Sequence, residues 1–339
     1  MTAIYDAIMA FSNWMWSLPV LVILIGGGIW LTVACDFVQI KHFGTAMKAT
    51  IGSAFKKKSD KDKISGFQAV TACLANTLGT GNIVGVGSAI ALGGPGAVFW
   101  MWVVGFVAMA LKYCEATLGV HTRVKGADGK WKGGASRYLS TVWKPLGVIW
   151  SVAALFGMAV ATGAHTGSVV TAAKSFHVPD IVTTIIVCII VGILILGGLR
   201  ALIAITDKLV PGMAILYVGT GLIVILFNID GLLPALSSIF AGAFTGAAAT
   251  GGFTGAVLAA TIKNGCARGV YSSDAGNGGA SILHAQADVD EPVEQGMWGI
   301  FEVFVDTIIV CTFTALVILC TGVWKTGDPA WLTHESFSL

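Results

Sequence analysis

What constrains this chain most is where its charged side chains are missing. No Asp, Glu, Lys or Arg occurs in 7–35, 64–111, 145–173, 181–199, 209–229, 231–262 or 307–324. Each run can supply one apolar helix of about 20 residues, the length that crosses a bilayer, and 64–111 is long enough for two. The expected spans are therefore eight: 17–38, 66–91, 96–120, 147–173, 180–199, 208–228, 235–262 and 297–323. Composition agrees, since charged residues make up 11% of the chain and hydrophobic ones 55%, against roughly 25% charged in soluble domains. A soluble enzyme, a secreted disulfide scaffold and a disordered chain are excluded. The reading is an all-α polytopic membrane protein.

The remaining charges are clustered. Thirteen of the twenty Lys and Arg residues lie in 39–63 and 121–146. Both segments adjoin apolar runs, so the positive-inside rule makes them cytoplasmic loops rather than a nucleic-acid surface. Two spans separate them, which lets both face the same side. That topology puts the N-terminus outside, the segment 263–295 inside and Leu339 outside, in a multi-pass protein of the inner (plasma) membrane. Residues 1–16 lack Lys and Arg, so the first run does not read as a cleavable signal peptide. The seven cysteines form no CxxC or Cys/His metal spacing and read as small packing residues.

Two runs break the helical pattern. One reads Asn76-Thr77-Leu78-Gly79-Thr80-Gly81-Asn82, the other Thr245-Gly246-Ala247-Ala248-Ala249-Thr250-Gly251-Gly252-Phe253. Glycine and hydroxyl residues are poor helix formers at mid-span. Bilayer hydrocarbon cannot satisfy exposed backbone groups, so a helix opens there only where protein, water or a ligand takes up the freed N–H and C=O groups. A pair of such breaks in corresponding positions of two halves points to a transporter site made by inverted repeats. The alternative is close helix packing through Gly81…Gly85, a GxxxG pattern; it accounts for the glycines but not for the Asn and Thr between them. No strand precedes the segment, so it is no dinucleotide fingerprint. Gly93-Gly94-Pro95-Gly96 reads as a tight turn, Trp100 and Trp102 as interfacial anchors, and Pro179 and Pro211 as lying near helix starts.

The same residues carry a family resemblance. Gly79-Thr80-Gly81-Asn82-Ile83-Val84-Gly85-Val86, Gly93-Gly94-Pro95-Gly96-Ala97-Val98-Phe99-Trp100-Met101-Trp102, Lys112-Tyr113-Cys114-Glu115, Gly265-Cys266-Ala267-Arg268-Gly269 and Val305-Asp306-Thr307-Ile308-Ile309-Val310-Cys311-Thr312 resemble the alanine or glycine:cation symporters. The resemblance runs from about Phe37 to Gly322. It implies a leucine-transporter-like inverted-repeat fold and sodium-coupled import of a small neutral amino acid, alanine or glycine, with Na⁺ as coupling ion and no organic cofactor. Amides at Thr80 and Gly81 would meet the substrate carboxylate. Carbonyls of Ala75 and Leu78 would face one sodium position, and Thr77 and Asn82 a second. Asn76 and Thr80 would hydrogen-bond the substrate, and Thr250, Gly251, Gly252 and Phe253 would form the opposite wall, with Phe253 limiting side-chain size. The implied organisation is an extra N-terminal helix and basic loop over 1–64, a first five-helix repeat over 65–231 and an incomplete second repeat over 232–339. The family's last three helices are expected to be missing.

The chain departs from the family on the fourth span. The usual Gly-Asn-x-x-Gln is replaced by Gly163-Ala164-His165-Thr166-Gly167, which makes His165 and Thr166 substrate-binding candidates. A neutral histidine bonded to a neighbouring helix is the alternative. Lys112 and Glu115 read as an ordinary ion pair or as snorkelling side chains. Glu302 and Asp306 share a helix face at i,i+4, and a partner is expected in Arg268 or Lys263, unless one carboxylate is protonated. The segment 272–279 reads as part of an inner gate, or as a plain turn. No HExxH, GxSxG or paired-Asp motif suggests an enzyme, and nothing suggests a channel filter. The competing reading is a non-transporting fragment, or a subunit that another chain completes.

Overall fold

The computed structural model describes residues 6, 10, 14, 19–54, 64–127, 129–245, 254–327 and 331–338. These are overwhelmingly helical. The helices are α1 Pro19–Ala34, α2 Phe43–Ala54, α3 Gly66–Thr77, α4 Val86–Gly93, α5 Ala97–His121, α6 Ala135–Val142, α7 Lys144–Lys174, α8 Asp180–Leu199, α9 Ala201–Phe227, α10 Leu232–Thr245, α11 Thr254–Ser273, α12 Ala280–His284, α13 Pro292–Val303, α14 Cys311–Thr321 and α15 Leu332–Ser338. Between α5 and α6 a small antiparallel hairpin, β1 Val124–Lys125 and β2 Trp131–Lys132, interrupts the all-α pattern.

Five helices among the described residues are long and apolar enough to cross a membrane, and the bent pair Gly66–Thr77 with Gly81–Gly93 makes a sixth. Two of the eight expected spans come out shorter, at Pro19–Ala34 and Ile229–Thr245. Of the expected seventh span at 235–262, the described residues give α10 up to Thr245 and α11 from Thr254, and α11 runs on to Ser273. Lys263 and Arg268 therefore sit on a helix, not in a loop. Pro211 lies inside α9, and the chain break falls earlier, at Gly198 with φ 70. Only a glycine takes that left-handed conformation without strain.

Three spans are far less buried than the others. The most apolar windows of α7 and α8 are 6% buried and that of α9 17%, against 56% for α5 and 61% for Pro292–Thr321. α5 is thus the central post. Val98 and Met101 pack with Val86 and Ile90 of α4, Ile239 of α10 and Ile318 of α14. The indoles of Trp100 and Trp102 donate to the Ala243 carbonyl (3.1 Å) and to Thr312 Oγ1 (2.6 Å). α5 also meets α13 with little side chain between: a Cβ on Gly299 would lie 2.8 Å from the Lys112 carbonyl oxygen. Small residues are what lets two apolar helices approach this closely.

Local signals set the start of the broken span. Ser65 and Gln68 form a capping box, each side chain taking the other's backbone N–H at 3.2 Å. Val70 and Leu74 then pack against Val210 of α9 and Trp298 of α13. At the far end of α5, Arg123 donates to the carbonyls of Ala285, Ala287 and Val289 and lies 4.1 Å from the Trp131 ring centroid. The hairpin is thereby fastened to the segment after α12.

Candidate functional site at the broken helix

The break expected at 76–82 is present. α3 ends at Thr77, Leu78 is extended (φ −69, ψ 94), and the axis turns by 53° before the helix resumes. At that ψ the Leu78 carbonyl points off the helix axis. The Asn82 side chain takes up one freed donor, its Oδ1 accepting the Gly79 amide at 3.2 Å. Residues Gly81–Gly85 then form a π-helical turn, a rare geometry that is frequent at functional sites.

The predicted site residues divide into three groups. Thr80 and His165 come together, Thr80 Oγ1 lying 2.7 Å from His165 Nδ1, so α7 does pack on the break. Asn76 is exposed and donates to Asp274 Oδ2 at 3.3 Å. Thr77 is buried with its hydroxyl unpartnered, beside Ala75 and Leu78, whose side chains lean on the Val70–Trp298 cluster. Thr166 is not drawn into the group, because its hydroxyl donates to Thr162 O of its own helix. Gly81 is buried, with the Tyr271 ring and Ser272 as neighbours. Thr250, Gly251, Gly252 and Phe253 lie outside the described residues.

Asn82 gathers partners the sequence reading did not assign. Its Nδ2 lies 3.1 Å from Ser272 Oγ, 3.0 Å from Asp306 O, 2.9 Å from Asp306 Oδ1 and 3.4 Å from Cys311 Sγ. The other Asp306 oxygen accepts from Ser272 Oγ (2.7 Å) and Thr307 Oγ1 (3.0 Å). Asp306 is fully buried, and no basic group pairs with it among the described residues. It lies on a second π-helical segment, Phe304–Val310, which packs against the first.

That π segment also corrects the expectation for Glu302. The register shifts between the two carboxylates, so they do not share one partner. Glu302 pairs with Lys112 Nζ at 3.3 Å and meets His284 Nε2 at 2.9 Å, while Asp306 turns to Asn82. Arg268 and Lys263 are partners of neither. Lys112, expected to snorkel or to pair with Glu115, is instead fully buried. Its charge lies outside every uncharged run, so no apolar pattern marked it as interior.

Cys73, His284 and Glu302 have ligand-capable atoms within 4.8 Å of one another. The three are already engaged: the Cys73 thiol donates to Ala280 O, and Glu302 holds both Lys112 and His284. A packed polar core explains the trio without a metal.

Comparison with known sequences bears on this arrangement. Residues 1–338 match the family model described as the sodium:alanine symporter family. The transporter YflA of Bacillus subtilis is 40% identical over 333 residues, covering 96% of this chain and 71% of that protein. AgcS of Methanococcus maripaludis, named a sodium/alanine symporter, is 40% identical over 319 residues, or 92% of this chain and 69% of AgcS. GlnT of Bacillus subtilis, named a probable sodium/glutamine symporter, is 32% identical over 346 residues and 70% of its own length. The expected loss of three family helices is not borne out by these matches.

Proposed function

Since the chain belongs to the sodium:alanine symporter family, we propose that it is a sodium-coupled symporter importing alanine or glycine by alternating access. At the family level the activity is amino-acid:cation symport, and the chain is a multi-pass membrane protein.

One observation carries it: a buried carboxylate, Asp306, sits at the broken helix with only neutral donors around it among the described residues. A desolvated charge without a partner costs several kcal/mol, which a bound cation offsets. The Asn82 amide has two hydrogens but faces four acceptor atoms, so the position is richer in acceptors than an amide can use. A small hard cation takes oxygen ligands of this kind. Rotation of the amide would offer it Asn82 Oδ1 beside Asp306 and Ser272. This is the second sodium position, with the orphan Thr77 hydroxyl near it in sequence; the first lies at the Ala75 and Leu78 carbonyls.

The substrate carboxylate is assigned to the amides of Thr80 and Gly81, with the Thr80–His165 pair and Asn76 as polar contacts. Thr250, Gly251, Gly252 and Phe253, outside the described residues, are kept as substrate contacts on the family resemblance alone, with Phe253 as the one that would restrict size. Alanine is favoured by the name of AgcS; glutamine in the name of GlnT marks the wider range of related chains. The leucine-transporter-like repeat, divided at 64 and 231, and an N-terminus outside the plasma membrane complete the proposal. The family match favours the symporter reading over a non-transporting one.

The test is labelled alanine uptake into proteoliposomes with and without an inward Na⁺ gradient. Gradient-dependent accumulation supports the proposal. Uptake indifferent to Na⁺ overturns the coupling ion, and no uptake of alanine or glycine overturns the substrate.

A further inference from the structure

A turn lies directly beneath the bend, and one helix holds it at two points. Residues 274–279 connect α11 to α12, and Asp274, Gly276 and Gly278 all have positive φ (50, 88 and 82). Such a turn has no regular hydrogen-bond ladder of its own, and a non-glycine residue there persists only when its surroundings impose it.

Within the turn Asn277 Nδ2 donates to Asp274 Oδ1 at 2.6 Å, and further bonds come from elsewhere. Lys112 Nζ donates to the Asp274 carbonyl at 3.1 Å, and one helical turn on, Glu115 Oε1 accepts the Gly278 amide at 2.8 Å. Both anchors therefore come from one face of α5. Trp150 of α7 adds a bond to Asn277 O at 3.0 Å. Asn76, the last exposed polar residue before the bend, reaches the Asp274 carboxylate.

The lysine is itself held in place. Gln295 Nε2 lies 2.7 Å from His284 Nδ1. His284 Nε2 in turn lies 2.9 Å from Glu302 Oε2. Lys112 and Glu302 pair as one cation and one anion, both fully buried. Ion pairs in such settings are costly unless fully supported, which makes a fold-only role an expensive solution. Immediately after the turn, the Ala280 carbonyl at the start of α12 accepts from the thiol of Cys73, which is 1% exposed.

We propose that Lys112 and Glu115 are positioning residues of the transport cycle, clamping the 274–279 turn shut beneath the broken helix, and that the inner path opens when these two bonds release. The clamp rests on the symport reading for its role, since Asn76 links it to the substrate position. Substrate engaging Asn76 competes with the Asn76–Asp274 bond and so loosens the turn. Lys112 and Glu115 touch neither substrate nor ion.

Cys73 supplies the readout. Its alkylation by N-ethylmaleimide, followed by peptide mass spectrometry in proteoliposomes, reports the open population. Glu115→Ala and Lys112→Met are expected to raise the Cys73 rate by about tenfold, equivalent to ~1.4 kcal/mol of lost closing free energy. Glu115→Gln keeps an acceptor for the Gly278 amide and should hold the rate near wild type. Cys266, buried in the cluster with Leu21 and Val104, should not change. Continued protection of Cys73 in both variants overturns the clamp. So does a rise matched at Cys266, which is general loosening. Labelling without Na⁺ or amino acid reads the clamp alone. A variant-dependent Cys73 rate that added Na⁺ and alanine leave untouched keeps the clamp and counts against the substrate reading instead.

Discussion

Replacing Asp306 by asparagine separates charge from shape at the proposed cation position. The carboxylate accepts from Asn82 Nδ2 at 2.9 Å, Ser272 Oγ at 2.7 Å and Thr307 Oγ1 at 3.0 Å. Asparagine keeps one carbonyl acceptor, and its NH₂ can donate to either hydroxyl oxygen, so the local fold loses about 1 kcal/mol or less. What disappears is the negative charge. A cation about 4 Å from it gains ~4 kcal/mol at an effective dielectric near 20. If desolvation cancels two-thirds of that, ~1.4 kcal/mol remains, which is tenfold in affinity. Asp306→Asn should therefore raise the Na⁺ concentration for half-maximal alanine uptake at least tenfold. By reciprocity, alanine affinity at fixed Na⁺ should fall. The assay is initial-rate uptake into proteoliposomes across a Na⁺ series at constant ionic strength. An unchanged Na⁺ half-saturation, in a variant that reconstitutes normally, refutes the reasoning and leaves Asp306 as a packing residue.

Three further outcomes follow from single contacts. Thr80→Val keeps volume but loses the bond to His165 and the hydroxyl offered to substrate; alanine half-saturation should rise about fivefold, from ~1 kcal/mol, and an unchanged value discards Thr80 from the site. Gly299→Ala places a Cβ 2.8 Å from the Lys112 carbonyl oxygen and 3.0 Å from its carbon, both backbone atoms, so thermal melting in detergent should show a loss of about 1–3 kcal/mol. Arg123→Ala strips donors from the Ala285, Ala287 and Val289 carbonyls and a cation from the Trp131 face; protease cutting near 285–289 should accelerate, with a loss of about 2 kcal/mol, and Arg123→Lys should recover only part because it lacks the fork.

The sequence by itself determined the class of molecule and the location of the broken helix. Uncharged runs demand buried or lipid-facing helices because charge is costly in hydrocarbon, and Asn76–Asn82 marks a break because glycine and short polar side chains favour leaving the helix there. Both are local effects, carried by residues next to one another. The partners were not local. Ser272 and Asp306 reach Asn82 from 190 and 224 positions away, and the π-helical register shift at Phe304–Val310 that parts Asp306 from Glu302 has no signature in hydropathy. Lys112 looked like a span-end lysine able to snorkel; burial against Glu302 and the Asp274 carbonyl follows only once Gly299 lets α13 press onto α5. The tertiary structure decided those pairings because a buried charge is tolerable only where other helices bring compensating groups to it, and that depends on how the helices pack rather than on the order of residues along any one of them.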